Sequence, residues 1–170
     1  HARHVAATLE SAGTRPFKRM IDIGTATGRM LTLFAERCEA AEGLDLSHKM
    51  LTVARSNLEK AGIKHASVRQ GDALAMPFED ASADLVTIHQ VLHFVDWQGR
   101  VISEAARVLM PGGTLLIIDF APHDMENFRT EFGHRRLGVR QESMREWAQI
   151  AGLELQAPQI VSPPAHMPNG

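Results

Sequence analysis

Short apolar runs alternating with stretches of helical period constrain this chain more than any other feature. The runs predict strands at 19–24, 40–46, 66–71, 83–89 and 113–119, with a weaker candidate at 154–161. Between them the spacing predicts helices. One runs from about Gly28 to Cys38, with Leu31, Phe34, Ala35 and Cys38 on one face. A second follows Ser47, a good N-cap, and carries Met50, Leu51, Ala54 and Leu58 before Gly62 stops it. A third follows Asp96, repeats Val101, Ile102, Ala105, Val108 and Leu109, and breaks at Pro111-Gly112-Gly113. Strands alternating with helices imply right-handed crossovers. The expected fold is α/β: a doubly wound, mostly parallel sheet with helices on both faces. Ligands of such sheets sit outside the carboxyl ends of the strands.

Composition narrows the partners. A chain of 170 residues, 44% hydrophobic and 22% charged, suits one domain with a sizeable core. Its net charge of −2 gives no bulk positive field for nucleic acid or an anionic membrane. Apolar runs such as Leu115 to Ile118 are too short to span a bilayer. Cys38 stands alone, so neither an internal disulfide nor a cysteine-based zinc cluster can form. No signal-peptide pattern opens the chain. The expected setting is reducing and cytoplasmic. The chain begins at His1 and ends in the loop-like SPPAHMPNG, the pattern expected of a piece of a longer sequence.

The first strand runs into a turn of glycine and small hydroxyl residues, MIDIGTATGRM, and such a turn holds something polar or anionic against backbone N–H groups. A nicotinamide fingerprint starting at Gly24 requires glycine at positions 26 and 29, where Ala26 and Arg29 stand. The G-K-S/T of a P-loop is absent as well. Carboxylates mark the strand ends instead. Asp45 closes the second strand and can accept both hydroxyls of a ribose; Asp72 closes the third and can accept from an exocyclic amine. Asp22, just before the turn, can brace the loop or meet an ammonium. Three carboxylates without a phosphate cradle suit a nucleoside with a zwitterionic, cationic tail.

IDIGTATG, GLDLSHKML, QGDALAMPFEDASADLV, LHFVD and RVLMPGGTLLIID, in that order, resemble class I S-adenosylmethionine-dependent methyltransferases of the Rossmann-like, type 11 kind over residues 18 to 120. The resemblance implies S-adenosyl-L-methionine as cofactor and an order of contacts. Gly24, Thr25 and Ala26 would line its methionine portion, with Asp22 and Gly28 also among the cofactor-binding residues. Asp45 would hold the ribose, and Leu46 and Met50 would flank the adenine. Asp72 with Ala73 would meet the adenine's amino edge, with Gly71 also in the cofactor-binding set and His89 near the methionine group. The family's turn has glycine where Ala26 stands, and alanine disfavours positive φ, so weaker binding is expected. A leading helix over 1–17, a cofactor core over 18–120 and substrate-side helices with an incomplete last strand over 121–170 complete the expected domain. HQVLHFVDW, IIDFAPHD and GHRRLGV also resemble methyltransferase domains fused behind winged-helix regulators of the arsenic-repressor type.

Methyl transfer needs in-line alignment, exclusion of water and, for a protonated nucleophile, a base. His89 and His93 are the candidate bases; Asp119, His123, His134 and Arg135 are candidate substrate contacts. A solvated amphipathic helix and a lid are both open readings of 124–140, and Asp119 could equally cap its turn. Spacing supports no metal site. One cysteine argues against metalloid methylation, and no basic stripe with interleaved aromatics argues for nucleic acid. The function expected is methyl transfer to a small molecule. The alternatives are a non-catalytic S-adenosylmethionine sensor in a larger transcription regulator and, less favoured, a nicotinamide-dependent oxidoreductase.

Overall fold

The computed structural model describes residues 10–161. Residues 1–9 of the leading helix expected over 1–17, and the tail 162–170, lie outside them. Five strands form one parallel sheet: β1 (Phe17–Ile23), β2 (Cys38–Asp45), β3 (Ala66–Gln70), β4 (Ala83–His89) and β5 (Leu109–Ile118). Their order is β3-β2-β1-β4-β5, and every pairing is parallel. The chain steps outward from β1 to β3, then returns to place β4 on the other side of β1. That reversal puts the switch point between β1 and β4, where an open α/β sheet opens its ligand crevice.

The helices are α1 (Arg29–Phe34), α2 (His48–Lys60), α3 (Gln98–Val108), α4 (Asn127–Glu131) and α5 (Gln141–Ile150). Residues of β1 feed both layers. Phe17 and Met20 pack with Met30, Leu31, Phe34 and Leu58 under α1 and α2. Ile21 and Ile23 pack with Val101, Ile102, Ala105 and Val108 of α3. Truncating one of these side chains to alanine costs about 2–5 kcal/mol. Ser47 caps α2 as expected, its hydroxyl accepting from the Met50 N–H at 3.3 Å, a contact worth about 1 kcal/mol.

Four expectations change. The helix opening at Gly28 ends at Phe34, a 3₁₀ turn follows over Ala35–Arg37, and Cys38 opens β2 instead of lying on a helix face. Its burial stands: the thiol is buried, and burial pushes its pKa up to about 11. Leu109 belongs to β5, so Pro111 and Gly112 lie inside an edge strand, where the register against β4 shifts and a missing N–H is tolerated. Among the described residues 154–161 forms no strand pairing. Pro158 interrupts it, and Leu155, Ile160 and Val161 are exposed. Within 124–140 only Asn127–Glu131 is α-helical before α5 begins.

Candidate functional site

The turn after β1 is locked at each step. The Thr25 N–H donates to the Leu44 carbonyl at 2.9 Å, and the Gly28 N–H closes back on the Thr25 carbonyl at 2.8 Å. Gly24 has φ 68°, and a Cβ there would lie 2.3 Å from Val91 Cγ2, so only glycine fits. Ala26 also takes positive φ, at 47°. The expected conflict at this position is therefore absorbed by the alanine backbone, and the turn keeps its shape. Gly28 starts α1 from the left-handed region and packs on Ala54, outside the cavity lining.

A cavity of about 480 Å³ opens at the switch point, a size suited to a small ligand. One side is the turn, with Asp22, Gly24, Thr25 and Ala26. The other is aromatic: Phe94, Phe120, Phe128 and Phe132. His89, His93 and His134 lie along the same wall. Asp22 is 1% exposed. Its Oδ1 accepts from the Thr87 hydroxyl at 2.6 Å, while its Oδ2 has no partner. Burial raises its pKa to about 6, against the lowering effect of Thr87 and of the Thr25 hydroxyl, which lies close by but outside hydrogen-bonding geometry. An unsatisfied buried carboxylate oxygen on a cavity wall is costly unless a donor or cation arrives.

Asp45 stands beside this cavity, not in it. Its Oδ2 accepts from the Ala26 N–H and its Oδ1 from the Ser47 N–H, both at 2.8 Å, so it ties the turn to the start of α2. Each oxygen retains a lone pair for a further donor. Leu46, 65% exposed, and Met50, 43% exposed, flank it as bare apolar surface. Gly71 donates to the Asp45 carbonyl at 3.1 Å and has no room for a Cβ, which would lie 2.5 Å from Leu44 Cδ1. Asp72 is exposed and binds the Leu74 N–H at 2.8 Å, with Ala73 half-buried beside it. The sequence-predicted cofactor residues thus fall into two adjoining groups, joined through Asp45 and Ala26.

His93 and Asp119 form the best-defined pair. Their Nδ1 and Oδ1 lie 2.6 Å apart, with side chains 2% and 3% exposed. Asp119 Oδ2 accepts from the Leu92 N–H at 2.8 Å, and Oδ1 also takes the Phe120 N–H at 2.8 Å. Its carboxylate is committed to these groups and does not line the cavity, so Asp119 braces His93 where a substrate contact was expected. Because the carboxylate accepts at Nδ1, the neutral imidazole carries its proton there and its lone pair on Nε2. The His134 ring lies 4.0 Å from that of His93, centroid to centroid. Burial, then the neighbouring His93 and His123, hold its pKa below the usual histidine range, with Asp119 pulling the other way. His123 packs edge-on to Phe120 outside the cavity lining. Arg135 is exposed and paired with Asp96, also away from the cavity. Phe94 and Gln90 are lining residues that the sequence did not announce. Gln90, in the left-handed region at φ 56°, leaves β4 by a sharp turn that only coordinates reveal.

Among the described residues no three metal-ligating side chains converge, and no helix is long and apolar enough to cross a membrane. The profile of the methyltransferase domain family matches residues 21–117. The uncharacterized methyltransferase YcgJ of Bacillus subtilis is 30% identical over 144 residues, which are 82% of this chain and 57% of YcgJ. A demethylmenaquinone methyltransferase of Thermus thermophilus is 38% identical over 123 residues, 71% of this chain and 53% of that protein. The crystal structure of YcgJ superposes with a TM-score of 0.81 and 25% identity, over 89% of this chain and 68% of the other. The chain therefore spans little more than half the length of these curated relatives, and it belongs to the methyltransferase domain family.

Proposed function

We propose that this domain transfers a methyl group from S-adenosyl-L-methionine to a small aromatic acceptor bearing an ionisable hydroxyl. One observation carries the reading: a tight glycine turn with an unsatisfied buried carboxylate faces, within one cavity, a phenylalanine wall holding a braced histidine.

The residues fit the cofactor. Asp22 Oδ2 offers the missing partner for an ammonium, Gly24 and Thr25 permit close approach of the methionine portion, and Asp45 keeps acceptor capacity for ribose hydroxyls. Leu46 and Met50 provide apolar flanks for adenine, with Gly71, Asp72 and Ala73 at its edge. When bound, the cofactor supplies a methyl group on sulfonium sulfur, and the breaking bond's electrons remain on sulfur in S-adenosylhomocysteine. His93 Nε2 takes the acceptor's hydroxyl proton, and Asp119 holds the imidazole and stabilises its charge. The released electron pair forms the new bond to methyl, from oxygen or from a conjugated ring carbon. Phe94, Phe120, Phe128 and Phe132 exclude water and stack on the ring. His89 contributes wall beside the methionine portion, and His134 covers His93.

Two of the relatives are named demethylmenaquinone methyltransferases, which supports a ring-bearing acceptor. The test is calorimetric titration with S-adenosylmethionine and S-adenosylhomocysteine, followed by turnover with a panel of phenols and hydroquinones. Saturable binding with S-adenosylhomocysteine formed in proportion to a hydroxylated aromatic is expected. Binding without product from any acceptor would sink the enzymatic reading and leave the sensor. The likeness to domains fused behind winged-helix regulators supports the alternative of a domain within a larger transcription regulator. Loss of specific DNA binding on deleting a preceding segment would support that, and an unchanged DNA affinity would oppose it.

A further inference from the structure

A second concave site lies where the start of α3 meets the start of α5, and it is built for an anion. Its volume is about 340 Å³, and its walls carry Trp97, Arg100, Arg136, Arg140, Ser143 and Trp147. The side chains of Arg100, Arg136 and Arg140 make no hydrogen bond or ion pair among the described residues. One acid, Asp96, borders the cleft, and it is already paired with Arg135. Glu104, one turn beyond Arg100 and within reach of its field, holds Arg107 and the Met76 N–H with its oxygens. Three arginines therefore line one hollow in a chain whose net charge is −2, and two of them, Arg136 and Arg140, have no acid partner among the described residues. Like charges gathered without an acid repel, and a bound anion of two or more charges removes that repulsion.

The chemistry of the wall narrows the anion. Guanidinium forks match the oxygens of phosphoryl groups two at a time, and the Ser143 hydroxyl adds a neutral donor. Trp147 packs closely against Gly99, where a Cβ would lie 2.7 Å from its ring, so that wall is firm. Trp97, 69% exposed, stands at the rim. The Arg136 N–H donates to the His93 carbonyl at 3.0 Å, as does the Arg135 N–H at 2.9 Å. The strand of chain lining this cleft is thus pinned to the base of the methyl-transfer cavity, yet the two cavities share no lining residue.

We propose that this cleft binds a small molecule carrying a diphosphate or longer phosphoryl group, separately from the methyl-transfer site. The chain's two tryptophans both line it, so intrinsic fluorescence reports its occupancy directly. The probe is inorganic pyrophosphate, titrated at constant ionic strength with and without saturating S-adenosylhomocysteine. A saturable fluorescence change is expected, indifferent to S-adenosylhomocysteine. Combined Arg136→Gln and Arg140→Gln substitution should weaken it by about tenfold or more. Ser143→Asp, which sets a carboxylate in the cleft without removing an arginine, should weaken it too and serves if the double variant folds poorly. Three results overturn the proposal: the same change from chloride alone, unaltered affinity in these variants, or abolition of binding by S-adenosylhomocysteine, which would move the anion to the other cavity.

Discussion

His93 Nδ1 and Asp119 Oδ1 meet at 2.6 Å in a place closed to solvent, and the same carboxylate holds the N–H groups of Leu92 and Phe120 on either side. One side chain from the end of β5 therefore fixes both the tautomer of His93 and the turn that carries it. Replacing Asp119 by asparagine puts an amide where two N–H donors point, and removes the carboxylate that accepts from His93 Nδ1. We expect kcat to fall about 10–100-fold with the affinity for S-adenosylhomocysteine little changed. His93→Ala should fall further, and adding Asp119→Asn to it should do no additional harm, because the two act as a unit. Equal and additive losses would make Asp119 a structural brace alone.

Asp22 is a cost to the ligand-free protein. Its folded pKa of about 6 lies above the ordinary carboxylate value of 3.8. The folded state therefore binds the proton more tightly than the unfolded chain, so this group's contribution falls as pH rises from about 4 to about 6 and stays low above that. Two pKa units correspond to up to about 3 kcal/mol at neutral pH. Asp22→Asn should make the free domain more stable at pH 7.5, by an increment that shrinks towards pH 5, in denaturant melts at both pH values. The same variant should lose affinity for S-adenosylmethionine. Wild-type affinity, conversely, should rise between pH 5 and 7 as the carboxylate ionises to meet an ammonium. A variant less stable at every pH would show that burial does not penalise this charge.

Much of this arrangement is legible in the sequence because it depends on local chemistry. Ser47 before an apolar period, a glycine turn after MIDI and acids closing strands each state their own geometry, and the β1–β4 switch follows from alternation. What stays hidden depends on contacts between distant segments. Nothing near Asp119 in sequence says that its oxygens will be taken by Leu92, His93 and Phe120. Cys38 reads as helical because its apolar neighbours continue the α1 period, whereas the burial it needs is met at the start of β2. The strand expected at 154–161 fails for the converse reason: its pattern alternates, but the described sheet offers it no pairing. Arg135 illustrates the limit on side-chain roles, since its partner Asp96 lies thirty-nine residues away.

Ala26 sits at φ 47°, in the left-handed region that favours glycine. Left-handed backbone costs an alanine about 1–2 kcal/mol, while glycine gives back about 0.4–1 kcal/mol through the freedom of its unfolded chain. Ala26→Gly should therefore stabilise the domain slightly, by about 0.5–1 kcal/mol in chemical denaturation. Cofactor affinity should be unchanged or improved, because the Ala26 N–H keeps its bond to Asp45. A destabilised Ala26→Gly would mean that the methyl group makes packing contacts outweighing its backbone strain.

Asp22 and Asp45 should divide the cofactor between them, and ligand fragments separate their roles. Asp45 is tied to Ala26 and Ser47 beside the cavity, on the side proposed for the ribose, whereas Asp22 lines the cavity proposed for the methionine portion. Asp45→Ala removes a charge-assisted ribose contact, which should cost about 1.5–3 kcal/mol, or about tenfold to a hundredfold in affinity. That loss should appear with adenosine as well as with S-adenosylhomocysteine, because both carry the ribose. Asp22→Asn should weaken S-adenosylhomocysteine and leave adenosine nearly untouched, because adenosine has no ammonium. Calorimetry of two variants against two ligands gives four affinities, and only a crossed pattern agrees with this division. If Asp45→Ala weakened S-adenosylhomocysteine but not adenosine, its carboxylate would be acting through the turn it holds rather than on the sugar.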